Sequence, residues 1–294
     1  MYDMRLQRTI KKELAFSGVG LHTGREVNMR LKPAPRDSGI VFMRTDKGVN
    51  INASVTEVSD TAFATTLGNG KGKIRTVEHL LAATSGLGID NLHVEIDGPE
   101  VPILDGSAVG FVRALKDCGL ARQASNRPYL RITKPVVFRE GQIEIAVMPY
   151  EGRRISYQID FDHSMLGRQQ MDIEVDETTF ATEIAPARTF GFLKDVEYLQ
   201  SMGLAKGGSL DNAILLDDKG VVNSTGLRFE DEFIRHKVLD FIGDTSLAGF
   251  PIYGHFIVSR SGHSTNVKFL KHLLSSPDCW ELVTEVSQTL PASA

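Results

Sequence analysis

Ala121-Arg122-Gln123-Ala124-Ser125-Asn126-Arg127-Pro128 is polar, has no apolar periodicity and ends in proline. It reads as a linker: it offers nothing to bury, and the residue before a proline is steered out of the helical region. On its N-terminal side, Glu26-Val27-Asn28-Met29-Arg30-Leu31 alternates polar and apolar residues as a half-buried strand does, and 40–43, 49–55 and 91–96 are further strand candidates. Val77, Leu80, Leu81 and Ala83 fall at helical spacing behind Thr76, a candidate N-cap, and 109–115 repeats this behind Ser107 with Gly119 as the stop. Past Pro128 the pattern restarts, with strands expected at 130–138, 143–147 and 155–161 and helices at 193–202, 231–247 and 266–274. Strands before helices in both halves predict an α+β protein of two domains of related plan, 1–124 and 125–294. No residue-level repeat accompanies that likeness of plan.

The chain has 294 residues, 41% hydrophobic and 24% charged, enough apolar material for a sizeable core. Its net charge of -4, with Lys and Arg scattered except for the short cluster Lys71, Lys73 and Arg75, argues against a nucleic-acid partner. Cys118 and Cys279 lack CxxC spacing, which points away from a disulfide framework and toward a reducing compartment. Residues 1–12 are polar and charged without the apolar core of a signal peptide, and no run approaches the ~20 apolar residues of a membrane span. A cytoplasmic location is the expectation, and 287–294 reads as a tail.

Two histidine–carboxylate clusters flank the polar stretch. His236, Asp240 and Asp244 are spaced four apart, so one helix carries them along one stripe, with Ile234, Val238, Leu239, Phe241 and Ile242 on the other side and Lys237 at the edge. Alone, this reads first as a solvated helix face with an i, i+4 pair. Glu78 and His79 sit in the first turn of the helix behind Thr76, about 100° apart, so that one can bind a metal while the other leans over water. Alone, Glu78 is equally a carboxylate that stabilises a helix N-terminus. Together, His79, His236 and Asp240 supply three ligands and leave a position open, the arrangement of catalytic rather than structural zinc, and Glu78 is the carboxylate that could deprotonate a water there. HExxH spacing is absent, so such a site would be assembled between the halves. His263, between a strand and a helix in Ser261-Gly262-His263-Ser264, is a candidate catalytic group or a plain loop histidine. The Gly18-Val19-Gly20-Leu21-His22-Thr23-Gly24 segment matches neither phosphate-loop pattern. Phe190 and Phe192 read as core or as the wall of an apolar site, with core favoured on composition.

Five blocks, taken in order, resemble the LpxC family, the UDP-3-O-acyl-N-acetylglucosamine deacetylases of lipid A synthesis. They are Gly18–Gly24, Thr76-Val77-Glu78-His79-Leu80, Pro102-Ile103-Leu104-Asp105-Gly106-Ser107, Ala187-Arg188-Thr189-Phe190-Gly191-Phe192 and His236-Lys237-x-x-Asp240-x-x-Gly243-Asp244. The likeness runs from about residue 5 to 285, and the last block is its most specific part. It implies two βααβ-sandwich domains with helices packed between the sheets, each with a small insert, the second near 191–212 forming a passage for a fatty acyl chain. It implies one Zn2+ per chain on His79, His236 and Asp240, Glu78 as general base and His263 as general acid. Thr189 and Lys237 would steady the oxyanion, Asp244 would pair with the catalytic histidine, and Phe161, Phe190, Phe192, Lys237 and Arg260 would contact substrate. Under this resemblance Phe190 and Phe192 move from core to site. Ala64 stands where some members carry a cysteine near the metal. The expected partner is a small molecule, acylated UDP-N-acetylglucosamine, and the expected state a monomer. Two alternatives remain at this point: a zinc amidohydrolase for another acylated sugar, and a non-catalytic sugar-nucleotide binding protein.

Overall fold

The alternation at Glu26–Pro33 places Val27, Met29 and Leu31 on a buried face, in the second strand of a five-stranded sheet. In the computed structural model, which describes residues 5–70, 72–163 and 166–284, that sheet runs in the order Leu14–Val19, Glu26–Pro33, Leu92–Ile96, Ile40–Arg44, Val49–Asn52. Lys71 of the basic cluster and the tail at 287–294 lie outside the described residues. The second half builds a seven-stranded sheet around Ile252–Ser259, which pairs with Ile143–Met148 antiparallel and with Arg153–Asp160 and Tyr129–Ile132 in parallel. Two three-stranded sheets are added: Val58–Asp60, Thr66–Asn69 and Gly72–Ile74 in the first half, and Phe190–Phe192, Ile214–Asp217 and Gly220–Val221 in the second.

The helices are α1 (Glu78–Gly86), α2 (Val109–Cys118), α3 (Glu177–Thr179, continued by a π turn at Phe180–Ile184), α4 (Leu193–Ser201), α5 (Glu232–Ser246) and α6 (His263–Leu274). α1 and α5 lie against each other, α2 packs on the first large sheet, and α5 and α6 pack on the second. One apolar core therefore runs through both halves, from Phe42 and Phe111 to Phe241, Phe256 and Phe269, all fully buried. Each such side chain contributes roughly 1.5–3 kcal/mol by leaving water. No helix among the described residues is long and apolar enough to cross a membrane.

The α+β class expected from the pattern is what the chain forms, and several local readings change. The polar stretch at 121–128 is not an irregular linker: Leu120–Asn126 is a strand, paired antiparallel with Leu6–Ile10. Its stability comes from backbone bonds to a segment more than a hundred residues away, which no local pattern reveals. Thr76 does not cap α1. It lies at φ 58 and donates its hydroxyl to Glu100 at 2.7 Å, and α1 begins without a side-chain cap. Ser107 does accept from the Val109 amide at 3.2 Å, and Gly119 ends α2 at φ 75. The expected strand at 130–138 is broken before Pro135, which lacks the amide a continuous ladder needs. The polar stripe of α5 is not a solvated face, because His236, Asp240 and Asp244 are as buried as the leucines opposite.

Candidate active site

α1 meets α5 backbone to backbone because Gly243 has no side chain. A Cβ at that position would stand 2.8 Å from the carbonyl carbon of Glu78 and 3.0 Å from its Cα. This contact sets the first turn of α1 opposite the middle of α5, so His79 faces His236 and Asp240. The two imidazoles are perpendicular, with centroids 5.0 Å apart. Asp240 Oδ1 is 3.3 Å from His236 Nε2 and 3.7 Å from His79 Nε2, and the three residues can present ligand atoms that all lie within 4.8 Å of one another. Ligands at the 2.0–2.2 Å of a tetrahedral zinc site stand roughly 3.3–3.6 Å apart, so this donor set fits a divalent metal. The orphaned atoms agree: Asp240 Oδ1 is buried with no hydrogen-bond partner. His236 Nδ1 lies 3.1 Å from the Ala187 carbonyl, which can only accept; the proton therefore sits on Nδ1 and the Nε2 lone pair points at the cluster.

Burial also sets the charges. His79 is driven down to about 3 by burial and by His236 beside it, and His236 is lowered chiefly by burial, so both are neutral donors at physiological pH. Burial alone would raise Asp240, but His236, Lys237 and His263 outweigh it and hold the carboxylate ionised. Lys237 Nζ donates to Asp240 Oδ2 at 2.8 Å and stays protonated: burial would lower it, and Asp240 reverses the sign.

Glu78 and His263 form the second layer of the cluster. Glu78 is buried; its Oε2 accepts from the Thr65 amide at 3.0 Å and its Oε1 lies 3.9 Å from His263 Nε2. Burial pushes Glu78 up to about 8 against the pull of His263. His263 opens α6, and its Nδ1 is 2.9 Å from Asp244 Oδ2. Asp244 in turn accepts from Thr65 Oγ1 at 2.6 Å and Asn266 Nδ2 at 2.9 Å. That network aims Nε2 between Glu78 and Asp240, 3.9 Å from each. Burial would lower His263, but Asp244, Asp240 and Glu78 raise it to about 9.

The remaining sequence candidates surround this centre at different depths. Thr189 follows two residues after Ala187, its amide bonded to the Gly106 carbonyl at 2.8 Å. Phe190 is edge-on to Phe161 at 5.9 Å and to His236 at 6.3 Å, and Phe192 extends the same wall, 6.1 Å from Phe161. Phe192 and α4 border a cavity of about 660 Å³. Arg260 is paired with Asp160 and Gln142 at the surface, three residues before His263. The glycine segment 18–24 closes on itself through the Gly24 amide and the Gly20 carbonyl at 2.9 Å, and its Leu21 and His22 carbonyls accept from the Gly207 and Lys206 amides, docking it on the 203–208 stretch.

Three contributors were missed from the sequence. Thr65 touches both Glu78 and Asp244. Asn266 lies at i+3 from His263 and could have been found once α6 was known to begin at His263. Glu100 is a buried carboxylate that accepts from Thr76 and from the His22 and Thr23 amides, tying the entry of α1 to the glycine segment.

A family model described as LpxC, UDP-3-O-acyl N-acetylglycosamine deacetylase, matches residues 7–275. The chain is 50% identical over 282 residues to a UDP-3-O-acyl-N-acetylglucosamine deacetylase of Thermodesulfovibrio yellowstonii, covering 96% of each. It is 52% identical to the enzyme of that name from Oleidesulfovibrio alaskensis, over 96% of this chain and 93% of the relative. With that of Nitratidesulfovibrio vulgaris it shares 54% over 91% of this chain and 87% of the relative. A family match that includes every residue of the buried cluster, with half identity over almost the full length of its relatives, means that the chain belongs to the LpxC family of deacetylases.

Proposed function

We propose that this chain removes the N-acetyl group of UDP-3-O-[(R)-3-hydroxyacyl]-N-acetylglucosamine by zinc-dependent hydrolysis, giving the free amine and acetate, the committed step of lipid A synthesis. The observation that carries the reading is the joining of His79, His236 and Asp240 to Glu78 and His263 in one buried cluster drawn from α1, α5 and α6. When bound there, the ion supplies Lewis acidity, which polarises a carbonyl and brings the pKa of water to about 7.

The chain's own groups do the rest. Glu78, adjacent to a ligand and held by the Thr65 amide, takes the proton of the water that attacks the acetyl carbonyl. Lys237 keeps two further N–H donors beyond its bond to Asp240, and with Thr189 it stabilises the developing oxyanion. Loss of one such donor costs roughly 3–4 kcal/mol of barrier. Collapse expels an amide anion unless nitrogen is protonated first. His263 is kept cationic by Asp244 and donates from Nε2 to that nitrogen. The Phe161–Phe190–Phe192 wall supports the acyl chain, and the exposed Arg260, now paired with Asp160, is the contact assigned to the nucleotide diphosphate. The two-part organisation at 1–124 and 125–294 and a cytoplasmic, monomeric enzyme belong to the same proposal.

Acetate release from the acylated UDP-N-acetylglucosamine, with and without a chelator, tests it. Activity abolished by chelation and restored by Zn2+ supports the reading; turnover untouched by complete metal removal refutes it.

A further inference from the structure

Behind the cluster, toward the C-terminal ends of α1 and α5, the two halves enclose a cleft into which several polar side chains reach. A cavity of about 460 Å³ is lined by Thr84, Ser85, Arg127, Arg153, Thr245 and Ser246 among others, and a neighbouring one of about 360 Å³ shares Ser85, Arg127 and Arg153 with it and adds Arg5. The Arg153 guanidinium lies where they meet. Its Nη1 donates to Ser85 Oγ at 3.0 Å and its Nη2 to Thr245 Oγ1 at 3.4 Å, both neutral hydroxyls, and its Nε is buried without a partner. Among the described residues no carboxylate forms an ion pair with Arg153. The nearby acids are engaged elsewhere. Asp90 serves Arg127 at 2.6 Å and Arg5 at 3.7 Å, Asp37 is bonded to Gln7 and Ser125, Glu177 pairs with Arg8, and Asp176 caps α3. Glu151 is exposed at the rim of the smaller cavity.

A guanidinium between two halves of a protein, with like charges for neighbours, needs a counterion. Part of the need is met by the partial negative charge at the C-terminal ends of α1 and α5, where Ser85 and Thr245 lie. That leaves Nε bare and Arg5 Nη1 also without a hydrogen-bond partner. Burial, together with Arg127, lowers both Arg153 and Arg5 to about 10, the direction expected of cations short of compensation. We infer that Arg153, Arg127 and Arg5, with the Ser85 hydroxyl, form a binding site for a phosphate-type oxyanion in the cleft behind the metal cluster. Planar, multiply donating guanidiniums and hydroxyls suit tetrahedral oxyanions. The occupant would bridge Ser85 of α1 to the strand Arg153–Asp160, whose Arg153 is bonded to Thr245 of α5, and so clamp the pair of helices that present the cluster.

Isothermal titration of inorganic phosphate into the full-length protein, against chloride at matched ionic strength, tests the site. Saturable uptake by the wild type with a rise in Tm, weakened tenfold or more in Arg153→Gln, supports it. Phosphate binding equally tightly to Arg153→Gln, or no saturable uptake by the wild type, overturns it, since the anion is then held elsewhere or not at all. If circular dichroism shows Arg153→Gln unfolded, Arg127→Gln, at the cavity edge, is put through the same comparison and decides on the same terms. A parallel arm with uridine diphosphate tells the sources apart: Arg153-dependent uptake of phosphate alone identifies a free anion, and of the nucleotide as well identifies a nucleotide phosphate.

Discussion

Gly243→Ala is the sharpest perturbation of the assembly that holds the proposed metal-binding cluster together. The added Cβ would run into the Glu78 carbonyl oxygen and lie 2.8 Å from the Glu78 carbonyl carbon and 3.0 Å from its Cα, where carbon atoms prefer roughly 3.5–4.0 Å. The obstacle is backbone, so no side chain can swing aside, and α1 must retreat from α5 by about 0.5–1 Å. Overpacking of this kind costs about 1–3 kcal/mol, and the better helix propensity of alanine returns about 1 kcal/mol. The net loss of stability is therefore small, at most about 2 kcal/mol. The functional loss is larger, because metal ligands tolerate only about 0.2 Å, and His79 rides on α1 while His236 and Asp240 ride on α5. A displacement of that size is expected to lower kcat/KM by about 100-fold. The assays are zinc affinity by chelator competition, kcat/KM and Tm, with Gly70→Ala, where nothing lies within 4 Å of the new Cβ, as the control. A Gly243→Ala protein that binds zinc and turns over like the wild type would refute the claim that this close approach positions the ligands.

Four further outcomes follow from the same geometry. Glu78→Gln keeps shape and burial, so it should retain zinc and fold but lose turnover; near wild-type rates would remove Glu78 from the proton transfer. His263→Ala should slow catalysis by about 10²–10⁴-fold while zinc content holds, and loss of zinc together with activity would make His263 a ligand instead. Glu232 is fully buried against Arg188, which bonds it through Nε and Nη2 and helps hold its pKa below the usual value although burial opposes this. A depressed folded-state pKa means stability that is present above the unfolded value near 4.5 and lost as pH falls through the folded one. Glu232→Gln should therefore destabilise by about 3–5 kcal/mol at pH 7 and flatten the acid limb of a Tm–pH profile, and an unchanged limb would contradict the pairing. Phe192→Ser should weaken binding of a long-acyl substrate more than of a short-acyl analogue, whereas equal effects would return this aromatic to a purely structural role.

Most of the regular elements were readable because their periods are local. The alternation at 26–31 and the spacing of 231–247 are consequences of burying one side of a strand or a helix, and both elements form within two residues of the expected bounds. Where the sequence misled, the deciding partner was remote. The 120–126 strand depends on 6–10, Thr76 turns away from α1 to meet Glu100, and the His236–Asp240–Asp244 stripe is buried because α1 and α6 cover it. Thr65 gave no signal at all, since an alanine–threonine pair in a short strand region resembles many others; only its position between Glu78 and Asp244 gives it a role.

The sequence by itself determined the chemical inventory of this protein: two histidines and two carboxylates of metal-ligating or proton-transferring type on two helices, a third histidine at a strand–helix turn, and the α+β alternation. Residue types and periods are properties of short segments, so they survive without coordinates. Only the tertiary structure decided that those groups share one buried centre. The 3.7 Å separation of His79 from Asp240 and the neutral state of His79 arise from packing α1 on α5 at Gly243, and the direction of His263 Nε2 from its bond to Asp244 across α5 and α6. Desolvation and the distances between α1, α5 and α6 belong to the folded chain, and no single segment contains either.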